Sequence, residues 1–102
     1  MTSKTKIRHE VECLRRLNEL TPVYEELLQF LKAESLLSSE QLKVIRLSPE
    51  IDRAKLLQEE LDHLAKDSKI QLLAYEWSIL PTEVIRITVI TDKTHREFVA
   101  EV

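Results

Sequence analysis

The chain has 102 residues, of which 43% are apolar and 32% charged, a composition that suits one globular domain of about 100–150 residues and not a disordered segment. Glycine is absent, which excludes the phosphate-cradling P-loop, the dinucleotide fingerprint, the kinase Gly-rich loop and the EF-hand, because each needs glycine at a fixed position. A net charge of −3 argues against a free-standing nucleic-acid binder, which carries a basic field.

The first residues, Met1-Thr2-Ser3-Lys4-Thr5-Lys6, are not followed by the apolar stretch of a signal peptide, so none is expected. No apolar run approaches the roughly 18 residues of a membrane span. Cys13 is the only cysteine. An intrachain disulfide and a zinc cage of several thiolates are therefore excluded, and a reducing cytoplasm is the expected compartment.

Ile7, Val11, Leu14 and Leu17 recur at helical spacing and predict a first helix. Thr21-Pro22 restarts the helix, with threonine as N-cap and proline at the first helical position. Val23, Leu27, Phe30 and Leu31 line one side of this second helix, with Tyr24 and Leu28 beside them. A stripe that wide implies burial on more than one side. Ser38-Ser39-Glu40-Gln41 has the form of a capping box, with Ser38 as cap and Gln41 reaching back. Residues 42–47 fit a short helix or a short strand. Ser48-Pro49 is a second cap-plus-proline start. The helix it opens carries Ala54, Leu57, Leu61 and Leu64 inward. Lys55–Glu59 and Asp62–Lys66 form opposite-charge pairs four apart on its outer side. Asp67-Ser68 is a weak stop.

From Leu73 the hydrophobic period changes to two. Leu73, Tyr75, Trp77 and Ile79 alternate with small or polar residues, as do Ile85, Ile87 and Val89 and then Phe98, Ala100 and Val102. A three-residue loop at 81–83 sets Trp77 opposite Ile87, Tyr75 opposite Val89 and Ile79 opposite Ile85. A tight turn at Lys93-Thr94, or a four-residue loop of the same register, sets Phe98 opposite Val89, Ala100 opposite Ile87 and Val102 opposite Ile85. All apolar alternation then falls on one face, while Arg86 meets Glu101 and Glu76 lies near Thr88 on the other. The expected fold is α+β. It is a two-layer domain over residues 1–102, with three to four helices in residues 1–68 packed on a three-stranded antiparallel meander in residues 69–102.

Chemistry is thinly signalled. His9 and Cys13 share a helix face, and Glu59, His63 and Asp67 recur at steps of four. Each could offer ligands or a base, yet a solvated helix face explains both without function. No serine sits in a nucleophile elbow. Trp77 and Tyr75 alternate with Glu76 and Ser78, which turns the rings toward the core and away from any bases they could stack on. No catalytic residue, cofactor or metal is therefore expected. A winged-helix reading, with Lys93, His95 and Arg96 at a hairpin tip, meets an acidic preceding helix carrying Glu59, Glu60 and Asp62.

The wide stripes of the first two helices and an edge strand ending at Val102 point instead to surface recognition. The expected function is a cytoplasmic interaction or regulatory module, bound to another protein or to itself as a homodimer. Tyr24, Leu28 and Phe30 are the candidate contacts. A nucleic-acid-binding regulator and a small enzyme are the alternatives.

Overall fold

The change of period near Leu73 is the boundary between the two layers of the molecule. A computed structural model describes residues 2–20 and 22–102, with side chains described for 9–20 and 22–102. It places four helices before one sheet: α1 (Thr2–Leu20), α2 (Val23–Ala33), α3 (Ser39–Leu47), α4 (Glu50–Lys66), then β1 (Leu72–Ser78), β2 (Val84–Ile90) and β3 (His95–Glu101). The architecture is the expected α+β two-layer arrangement. The Ile7 side chain and the Thr21 cap lie outside the described residues.

The helix boundaries follow from local chemistry, with one exchange of roles. Pro22 occupies the N-cap position of α2. At α3 the capping box forms as its residues dictate: the Gln41 N–H donates to the Ser38 hydroxyl at 3.1 Å, and the Gln41 side chain accepts from the Ser38 N–H at 2.8 Å. Residues 42–47 are helical, so the strand alternative is excluded. Ser48 does not cap α4. Its hydroxyl instead donates to the Val44 carbonyl at 2.6 Å, at the end of α3, and Pro49 takes the N-cap position of α4. A serine hydroxyl turned back to donate to the carbonyl four residues earlier points away from the N–H groups of the following helix.

Two helices end in a left-handed residue that is not glycine. Ser35 and Ser68 adopt φ of 56° and 61°, the left-handed conformation. In α2 the Ser35 N–H donates to Lys32 O and the Leu36 N–H to Leu31 O. In α4 the Ser68 N–H donates to Ala65 O and the Lys69 N–H to Leu64 O. Each set is a Schellman motif, a closure that usually recruits glycine.

The sheet order is β1-β2-β3, both pairings antiparallel. The apolar face is the one expected, but both registers are displaced by two residues. Tyr75 pairs with Ile87 and Trp77 with Ile85, while Ile85 pairs with Ala100 and Ile87 with Phe98. A slip of two leaves every side chain on its own face, so hydrophobic alternation cannot detect it; loop length decides. Residues 79–83 lie outside the strands where a three-residue loop at 81–83 is expected, and residues 91–94 form a four-residue loop, the alternative to the tight turn, in a displaced register. Ile79 and Val102 consequently leave the strands and are exposed. Arg86 pairs across from Glu76 and Val99. Its charge contacts are Glu76 at 3.7 Å and Glu97 at 3.4 Å, not Glu101.

One apolar cluster spans both layers. Leu14 and Leu17 of α1, Leu27, Leu28 and Leu31 of α2, and Leu57 and Leu61 of α4 meet Ile85, Ile87, Val89 and Phe98 of the sheet. The radius of gyration, 13.1 Å, is the value of a single folded unit of about 100 residues. Phe30 and Phe98 join α2 to β3 edge-to-face, with centroids 5.4 Å apart.

Candidate functional site

The residues first suspected of contacting a partner are inside the molecule. Tyr24, Leu28 and Phe30 are 3%, 0% and 6% exposed. The wide stripe of α2 is consumed by the fold itself, because α1, α3 and β3 all pack on this helix. Burial pushes the Tyr24 hydroxyl up to about 12, and that hydroxyl has no hydrogen-bond partner among the described residues. A surface role for these three side chains is corrected by their burial.

The hairpin-tip cations are largely engaged. The Arg96 guanidinium lies over the Phe30 and Phe98 rings, 5.5 and 4.8 Å from their centroids. That cation–π seat holds it on the protein. His95 lies 3.6 Å from Glu97. Lys93 remains exposed, next to Asp92. Thr91 organises the turn, its hydroxyl accepting from the N–H groups of Lys93 and Thr94. The Thr94 hydroxyl donates to Glu34 of α2 at 2.7 Å.

The reactive candidates do not converge. His9 Nε2 lies 3.7 Å from Cys13 Sγ. The thiol is buried, and burial, then the charges of Glu10 and Glu12, pushes it up to about 11. It is held protonated and is a poor nucleophile or ligand at neutral pH. Among the described residues no group of three His, Cys, Asp or Glu is placed to hold a metal ion. Glu59 and His63 do share a groove, but Asp67 sits at the C-cap of α4, with its N–H on His63 O.

Trp77 and Tyr75 lie half-buried on the inner face of the sheet, against the core. The Trp77 indole donates to Glu83 Oε2 at 3.1 Å. Arg16 of α1 grips the same carboxylate through two bonds, of 2.8 and 2.7 Å. This clamp ties the first helix to the β1–β2 loop. Arg16, with help from Trp77, holds the Glu83 carboxyl below the usual carboxylate range.

The open apolar surface lies elsewhere. Val44 and Leu47 of α3 are 61% and 74% exposed. Ile51, Ile79 and Leu80 are also exposed. Val44 lines an open groove of about 340 Å³ between α3 and α4, floored by Ile45 and Leu56 and rimmed by Gln41, Glu59, Glu60 and His63. Gln41 donates to Glu60 across it at 2.9 Å. A second groove, of about 570 Å³ between α1 and α4, holds Val11 and Ile51. Arg15 bonds both Glu12 and Glu19 there, and Glu50 also lines it. The α3–α4 surface had a signal in the sequence. Val44 and Leu47 fall off the buried Leu42–Ile45 stripe, and this surplus is what made residues 42–47 resemble a strand as much as a helix.

Among the described residues no helix is long and apolar enough to cross a membrane. No family model matches the chain, and neither does any curated protein or solved structure.

Proposed function

We propose that the protein is a non-catalytic interaction module, acting in the cytoplasm, whose docking surface is the exposed flank of the α3–α4 pair. One observation carries the reading: Val44 and Leu47 stand exposed beside a groove whose floor is aliphatic. Isolated exposed apolar residues are ordinary, but two on one short helix next to a groove form a patch with a place for a partner's side chain. The single buried thiol suits a reducing compartment. A nucleic-acid-binding role has weaker support, since Arg96 is seated on aromatic rings and α4 presents Glu59 and Asp62.

The test is capture from native extract with tagged wild-type protein and with Val44→Asp/Leu47→Asp. Both positions are exposed, so circular dichroism should show an unchanged fold. A stoichiometric protein partner, resistant to nuclease and lost in the double variant, is expected. Equal capture by both forms would place the docking surface elsewhere, and partners that vanish with nuclease would favour nucleic acid.

A further inference from the structure

Resting on the docking surface just described, we propose that the α3–α4 groove receives a basic amphipathic helix, with aliphatic anchors seated between Val44 and Leu56 and Lys or Arg side chains facing Glu59 and Glu60. The two helices are joined at Ser48-Pro49, so the end of α3 lies by the start of α4. The Gln41–Glu60 bond fixes their alignment farther along. The surface is therefore polarised. Val44, Leu47 and Leu56 gather toward the connection, while Gln41, Glu59, Glu60 and His63 gather toward the open end. Glu40, Val44 and Leu47 recur at i, i+4 and i+7, which puts a further carboxylate on the same flank of α3.

Charge decides the occupant. The Lys55–Glu59 pair expected from spacing does not form among the described residues, whereas Asp62–Lys66 does, at 3.1 Å. Glu59 therefore stands on the rim without an ion-pair partner. A helix carrying an aliphatic side chain within a turn of a lysine or arginine would fill the floor and neutralise the rim together. A second copy docked by the same groove would bring Glu59 and Glu60 no lysine or arginine, because the groove lining carries none. The α1–α4 groove suits such a helix less well, because a cation, Arg15, lines it and already bonds Glu12 and Glu19. The nine residues of α3 span about 13 Å, so the contact is two to three turns long.

The probe is a fluorescein-labelled helical peptide of about four turns, with leucine at i, i+3, i+4 and i+7 and lysine on its flanks, compared with a twin carrying glutamate for lysine. Fluorescence anisotropy is read on the full chain. The lysine peptide is expected to bind at least about tenfold more tightly than the twin, and to weaken as salt is raised. Val44→Asp and Glu59→Lys should each lower its affinity about tenfold or more. Glu97→Lys, on the outer sheet face, should leave it unchanged. Equal binding of the two peptides, or an unaltered affinity in Glu59→Lys, would overturn the proposal. If the twin binds instead and Val44→Asp abolishes it, the docking surface stands and the basic chemistry falls. If neither peptide responds to Val44→Asp, both fall. A dimer in sedimentation that dissociates in Val44→Asp would name a second copy as the occupant and refute the basic helix.

Discussion

Two left-handed serines in a chain without glycine give a sharp prediction about stability. Ser35 and Ser68 hold φ of 56° and 61° at the ends of α2 and α4. A residue with a Cβ loses roughly 1–2 kcal/mol in that conformation, through contact with the following carbonyl. Neither side chain hydroxyl makes a hydrogen bond among the described residues. Ser35→Gly and Ser68→Gly therefore remove a steric cost and break no contact. Glycine gives back part of the gain, because its unfolded chain is freer by about 0.5–1 kcal/mol. The net expectation is a stabilisation of about 0.5–1 kcal/mol for each variant. For a domain of this length that is a rise in Tm of about 2–8 °C. Thermal and urea unfolding followed by circular dichroism measure it. Ser35→Ala and Ser68→Ala keep the Cβ and are expected to gain nothing. If the glycine variants are neutral or destabilised while the alanine variants match wild type, the strain assigned to these two caps is absent and the reasoning fails.

Two further outcomes concern the clamp and the thiol. Arg16 and Trp77 hold Glu83 below the usual carboxylate range, so its contribution to stability is complete above the unfolded value near 4.5 and is lost as pH falls through the folded one. Glu83→Gln should flatten the decline in stability below that pH. Trp77 is the sole tryptophan and reports the transition by fluorescence; identical acid profiles for the two proteins would refute the coupling. Cys13, buried and pushed up to about 11, should react with a thiol reagent at neutral pH only as fast as the fold opens, and at once in denaturant. Immediate labelling of the native protein would contradict its burial.

The fold was legible in the sequence where a pattern had one physical solution. The shift from a helical to an alternating period near Leu73 could only separate helices from strands, and Ser38 with Gln41 carried the form of a capping box that the structure then shows. Register was not legible to better than two residues, since Ile85, Ile87 and Val89 present the same face after a double step. The role of Ser48 was hidden for a different reason: its hydroxyl could accept from the start of α4 or donate to the end of α3, and it takes the second bond, to Val44. The surface was misread at α2. A wide apolar stripe says how many sides of a helix are covered, not whether neighbours in the same chain cover them. Tyr24, Leu28 and Phe30 are covered from within, and the real surplus lay in Val44 and Leu47, two residues that looked like ambiguity in secondary structure.

The clamp joining Arg16 to Glu83 and Trp77 bears on how the protein is made. Its partners lie 67 residues apart in the chain, and α1 also packs on α4, β1 and β2. During synthesis the helices emerge first, yet their shared apolar face has no lid until the strands follow. Helical turns can form early, because their bonds are local, but the core closes only after β2 and β3 have left the ribosome. The nascent chain thus passes through a stage as helices with an uncovered inner side, and that stage is when chaperone contact or premature association would act on it.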